Sequence, residues 1–144
     1  MINFKRLKEI REDNDVIQEA MASILGVRRD TYAKWETGEN IPSLEVIYNF
    51  SKYFGYTIDY VLGLTYDRPR VKYSNYDKTI ISNNLKTLRV KSHLSQRDLA
   101  NKLKLTHAAI GRYERSESNP SINTIYNYCK FFNITFYDLC CKKI

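Results

Sequence analysis

The chain has 144 residues, 43% hydrophobic and 27% charged, with 23 Lys and Arg against 16 Asp and Glu and a net charge of +7. This composition belongs to a globular chain and not a disordered one, and no apolar run approaches the ~20 residues of a membrane span. No secretory signal follows Met1, so a cytoplasmic location is expected, with the thiols of Cys129, Cys140 and Cys141 reduced.

In chain order, Phe4, Leu7 and Ile10 form a first apolar stripe at helical spacing. Ala20, Met21, Ile24 and Leu25 form a second, which Gly26 ends. A turn of three or four residues leads into a third helix. Pro42 then precedes Ser43, which is placed to cap a long fourth helix carrying Leu44, Ile47, Phe50 and Phe54. Ile58, Val61 and Leu62 mark a fifth.

Thr65 to Thr79 carries Pro69, three tyrosines and alternating charges, and reads as a linker. Extended at about 3.3 Å per residue, it reaches ~40–50 Å.

The same pattern then returns. Ile81, Leu85 and Leu88 make one stripe, and Leu99 and Leu103 the next. Ser95 before Gln96-Arg97-Asp98 suits a helix cap with an acid in the first turn, and Thr106 suits a cap for the following helix. Ser121 after Pro120 precedes Ile122, Ile125, Cys129 and Phe132, and Phe136, Leu139 and Cys140 close the series. Five helices of about 8–14 residues are expected in each half. Alternation with period two is not sustained, so strands are not expected.

The two halves align at a shift of 78 residues without a gap, with sixteen identical positions running from Leu7/Leu85 to Thr57/Thr135. Such a register argues for two copies of one fold. The expected organisation is all-α: copy one over residues 1–64, a linker over 65–79, and copy two over 80–144.

A helix, a tight turn and a second short helix make a helix-turn-helix. Leu94-Ser95-Gln96-Arg97-Asp98-Leu99-Ala100, with Leu103, Leu105, Ile110, Tyr113-Glu114 and Pro120-Ser121, resembles the lambda-repressor-like, Cro/C1-type (XRE) family. Copy one matches through Gln18, Ala22, Leu25-Gly26-Val27, Trp35-Glu36-Thr37-Gly38 and Pro42-Ser43. There are departures. Ile17 stands where the family usually has a Ser or Thr cap, which removes about 1 kcal/mol of capping. Lys104 replaces the turn glycine and calls for a positive φ. Ser116 replaces Gly38, and Gly111 lies inside a helix at a cost of roughly 1 kcal/mol against Ala.

The resemblance implies that the third helix of each copy enters the major groove of double-stranded DNA. The implied readers are Arg28, Arg29, Asp30 and Lys34 in copy one, and Thr106, His107, Ala108 and Arg112 in copy two. Arg and Lys can donate to guanine O6 and N7. Asp30 either accepts from cytosine N4, stabilises the helix start or orients Arg29. Ala108 either meets a thymine methyl or fills space. Gln18 and Gln96 are placed near the phosphate backbone, or are solvated residues at a helix start. Ser43 and Ser121 are read as caps in preference to phosphate contacts. Arg11 with Glu36, and Arg89 with Glu114, are implied as structural ion pairs. Trp35 and Tyr113 are read as core aromatics, and most tyrosines as packed rings with a wet hydroxyl.

Residues 1–64 carry 8 basic and 10 acidic residues, and residues 82–144 carry 11 and 4. The electrostatic footprint for a phosphate backbone therefore lies mainly in the linker and copy two. Two mechanisms follow. Either both copies bind, one chain supplying two half-sites about 34 Å apart, or copy two binds DNA while copy one pairs with a partner such as a second copy one. Arg68-Pro69-Arg70-Val71-Lys72 either follows a groove or is a solvated linker. The expected function is a nucleoid-associated transcriptional regulator, a repressor. The rival is a protein-binding module: an antitoxin, antirepressor or inhibitor. No cofactor, metal or catalysis is expected, since His93 and His107 have no ligand spacing with the cysteines and no nucleophile-base pattern occurs.

Overall fold

A computed structural model describes residues 1–144 as ten α-helices without a strand. The chain divides into two compact units, Met1–Tyr73 and Ser74–Ile144. The first holds α1 (Lys5–Asp13), α2 (Gln18–Leu25), α3 (Arg29–Thr37), α4 (Leu44–Phe54) and α5 (Ile58–Val61). The second holds α6 (Lys78–Lys91), α7 (Gln96–Leu103), α8 (His107–Glu114), α9 (Ile122–Phe132) and α10 (Phe136–Cys141).

Local chemistry sets most helix starts. The hydroxyls of Ser43, Thr57, Ser95, Thr106, Ser121 and Thr135 each accept from a backbone N–H three residues on. Ser95 and Asp98 form a full capping box. Ile17 caps α2 with no side-chain bond. The stops use the left-handed region. Gly26 ends α2 at φ 72°, and Lys104 ends α7 at φ 56° in the equivalent place. Ser116 takes φ 58° where Gly38 takes 79°.

Each unit buries its own core. In the first, Leu7, Met21, Tyr32, Ile47, Phe50, Ile58 and Leu62 are almost wholly enclosed, and in the second Leu85, Leu99, Ile110, Ile125, Tyr128, Phe136 and Leu139. Each such Leu or Ile contributes roughly 1.5–3 kcal/mol by leaving water. Trp35 joins the first core, whereas Tyr113 is only half-buried. Tyr32 and Tyr128 bury their hydroxyls completely, so these two depart from the expected wet arrangement.

The fifth helices are shorter than expected, four residues in α5 and six in α10. Tertiary contacts stop both. Beyond α5, Gly63 turns at φ 75° with the Asn3 carbonyl 3.4 Å from where a Cβ would lie, and Asn3 N donates to the Leu62 carbonyl at 2.9 Å. Arg6 Nη1 donates to the carbonyls of Tyr60 and Thr65 at 2.8 and 2.7 Å. In the second unit Asn84, at the position equivalent to Arg6, donates to Leu139 and Lys142 at 2.7 and 2.6 Å and accepts from Ile144 N.

Part of the segment read as a linker folds back. Val71 N donates to the Gly55 carbonyl at 3.0 Å, Arg70 donates to the Phe54 carbonyl, and the Arg70 guanidinium lies 4.4 Å above the Tyr56 ring. Tyr73 donates to the Tyr56 carbonyl at 2.6 Å and meets Tyr48 edge-on. Residues 70–73 therefore belong to the first unit, because they satisfy carbonyls that α4 leaves open at its end. Arg70 is engaged there, although it stays exposed like Arg68 and Lys72.

Candidate nucleic-acid interface

In each unit three residues separate the two helices that pack most closely: Gly26-Val27-Arg28 between α2 and α3, and Lys104-Leu105-Thr106 between α7 and α8. The left-handed residue at the first position reverses the chain within that span. The packed helices bury Met21 and Ala22 on α2 with Tyr32 and Trp35 on α3, and Leu99 and Ala100 on α7 with Ile110 on α8.

The first turn of α3 faces solvent. Arg28 is its N-cap, and Arg29, Asp30 and Lys34 are all exposed. Arg28 lies 3.3 Å from Asp30, both well exposed, while the other Asp30 oxygen accepts from Thr31 N at 3.0 Å. Asp30 is thus tied to the helix start and to Arg28, and no ion pair engages Arg29 or Lys34. Arg28, Arg29 and Asp30 line one open depression with Glu19, Ala22, Ser23 and Val27.

In α8, Thr106 is the N-cap, and its hydroxyl accepts from Ala109 N at 3.1 Å. His107 opens the helix, with Ala108 and Arg112 one turn apart on the same exposed surface. Gly111 faces inward. A Cβ there would stand 2.8 Å from the Arg115 guanidinium and 3.5 Å from Gln96 Oε1.

Behind both α3 and α8 lies an ion pair on a buried carboxylate. Arg11 donates to both Glu36 oxygens at 2.7 and 3.0 Å and to the Val16 carbonyl at 2.8 Å. Arg89 repeats this with Glu114 at 2.7 and 2.9 Å and Leu94 at 2.9 Å. The carboxylates hold both guanidinium pKa values above their ordinary level, chiefly through these hydrogen bonds. Burial pushes the Glu36 carboxyl up, but its bonds to Arg11 and Gln18 outweigh this and hold it below the usual range.

Gln18 and Gln96 have an internal partner that the sequence did not suggest. Gln18 Nε2 donates to Glu36 at 3.0 Å, and Gln96 Nε2 to Glu114 at 3.1 Å. Sequence reasoning also passed over Arg97, exposed beside Gln96. The available signal was its opposite sign to Glu19 at the matching position.

The architecture agrees with the comparisons. A family model described as helix-turn-helix matches twice, over residues 7–61 and 85–139. The chain belongs to the Cro/C1-type (XRE) helix-turn-helix family. Among similar curated proteins is the HTH-type transcriptional activator BcrR of Enterococcus faecalis. It is 36% identical over 58 residues, which is 40% of this chain and 28% of that protein. The HTH-type transcriptional regulator AnsR of Bacillus subtilis is 36% identical over 62 residues, 43% of this chain and 53% of its own length. The cryptic phage CTXphi transcriptional repressor RstR of Vibrio cholerae is 32% identical over 53 residues, 37% of this chain and 48% of its own. The chain therefore spans about a quarter to a half of these three relatives. No solved structure matches it. No helix is long and apolar enough to cross a membrane.

Proposed function

We propose that this chain is a sequence-specific, double-stranded-DNA-binding transcriptional regulator acting as a repressor on the nucleoid. In this reading α3 and α8 enter major grooves. Arg29, Lys34 and Arg112 carry base and phosphate contacts. Arg28, Asp30, Thr106, His107 and Ala108 shape the surface around them. The observation that carries the reading is the doubled family motif with cations free of ion pairs on both third helices. Free, exposed guanidinium groups cost little to transfer onto guanine edges or phosphates. Binding sites selected from random duplexes, then footprinted, test it. A recurring site is expected, asymmetric because the two reading helices differ. Arg29→Ala and Arg112→Ala should each lose about 1–3 kcal/mol on that site and relax one base preference. No sequence preference at low salt would reject the reading. Lower transcription from a reporter bearing the site is the sign of repression.

A second reading, pairing of copy one with another copy one, has its own support. The first unit exposes Ile17, Ile24 and Ile41, where the second has Ser95, Lys102 and Asn119. Sedimentation equilibrium of the chain tests it, with Ile24→Lys expected to shift a dimer towards monomer.

A further inference from the structure

The two units carry unequal charge. Residues 1–73 hold 11 basic and 11 acidic residues, and residues 74–144 hold 12 and 5, so the whole excess of +7 lies in the second unit. Part of the difference lies on the first helix of each helix-turn-helix, where α2 sums to −1 and α7 to +1. Along α2 the exposed residues include Glu19 and Ile24, and along α7 the matching residues are Arg97 and Lys102. Exposed Glu19 lines the same open depression as Arg28 and Arg29, which puts a negative charge beside the surface that a phosphate backbone would approach if α3 read a groove. At the equivalent place the second unit presents Arg97, which takes part in no ion pair. Asp98 beside it is engaged in the capping box with Ser95.

We infer that the two helix-turn-helices divide the work on DNA unequally. The second unit anchors the chain to the phosphate backbone through Arg97, and Glu19 holds the backbone affinity of the first unit down. The first unit then contributes mainly selection. This rests on the DNA-binding reading above and names the residue pair that sets the balance. A carboxylate a few ångströms from a phosphate is repelled, whereas an arginine there releases about one condensed counterion. A weak, selective unit tethered to an anchored one binds at high effective concentration, so it discriminates without needing affinity of its own.

Fluorescence anisotropy of the full chain on a random-sequence duplex, over a range of salt, tests the assignment. Arg97→Ala should lower the slope of log affinity against log salt by about one, and affinity by about tenfold near 50 mM salt. Glu19→Arg should raise affinity several-fold and steepen the slope. Glu12→Arg, on α1 and outside the helix-turn-helix, should give a clearly smaller gain. An unchanged slope in Arg97→Ala overturns the assignment, as does a gain in Glu19→Arg no larger than in Glu12→Arg. In either case a wild-type chain that still binds duplex leaves the regulator reading standing. If the wild type fails to bind duplex at low salt, both fall together.

Discussion

Gln18 reaches across from the start of α2 to Glu36 near the end of α3, its amide nitrogen 3.0 Å from the carboxylate that also holds Arg11. The same side chain thus sits at the edge of the proposed DNA surface and on the buried ion pair beneath it. Removing it should have two consequences. Gln18→Ala is expected to cost the first unit about 1.5 kcal/mol, the lower end for a hydrogen bond to a charged group because Gln18 is half-exposed. DNA affinity should fall as well, since α2 and α3 lose a tie that sets their angle. Urea unfolding and anisotropy measure the two. A loss of affinity without any loss of stability would mean that the glutamine serves the phosphate alone.

The ion pair makes stability depend on acid. Glu36 titrates below the ordinary glutamate value of 4.5, so its contribution is complete above that value and disappears as the pH falls through the folded one. Glu36→Gln should flatten the acid limb of the urea midpoint, which for this group lies below about pH 4.5. It should also weaken the first unit at neutral pH by ~3–5 kcal/mol, because Arg11 is then buried without its counter-charge. An unaltered acid limb would show that other carboxylates govern it.

Lys104 and Gly26 end the first helices of the two motifs with the same left-handed backbone. A side chain there costs roughly 1–2 kcal/mol, and glycine's extra freedom when unfolded offsets part of that. Lys104→Gly should therefore stabilise the second unit by about 0.5–1 kcal/mol, read from its unfolding midpoint. A loss would mean that the lysine makes a compensating contact.

Tyr128 and Phe50 are counterparts in the two cores. The Tyr128 hydroxyl is buried without a hydrogen-bond partner, and burial pushes its pKa far up. Tyr128→Phe should stabilise the second unit by about 1 kcal/mol, because an unsatisfied buried hydroxyl is removed and the ring stays. A destabilisation of similar size would reveal a partner that the hydroxyl finds in solution.

Some features were legible because their causes are local. The hydroxyl caps at Ser43, Ser95, Thr106 and Ser121 act on an N–H three residues away, and Gly26 sets its own backbone, so each could be placed from a few neighbouring letters. The repeat at 78 residues, the all-helical class and the three-residue turns follow from side-chain spacing in the same way. Other features depended on groups far apart in the chain. No local rule links Asn84 to the carbonyls of Leu139 and Lys142, 55 and 58 residues away, yet those bonds fasten the chain where α10 ends. Composition made residues 65–79 look free, but the open carbonyls of Phe54, Gly55 and Tyr56 draw residues 70–73 onto α4. Glutamine at a helix start looks solvated or ready for a phosphate. Only the packed helices bring a carboxylate 18 residues away within reach of its amide. Periodicity and capping are near-neighbour properties that survive in one dimension, whereas partners for buried polar groups exist only once the core has closed around them.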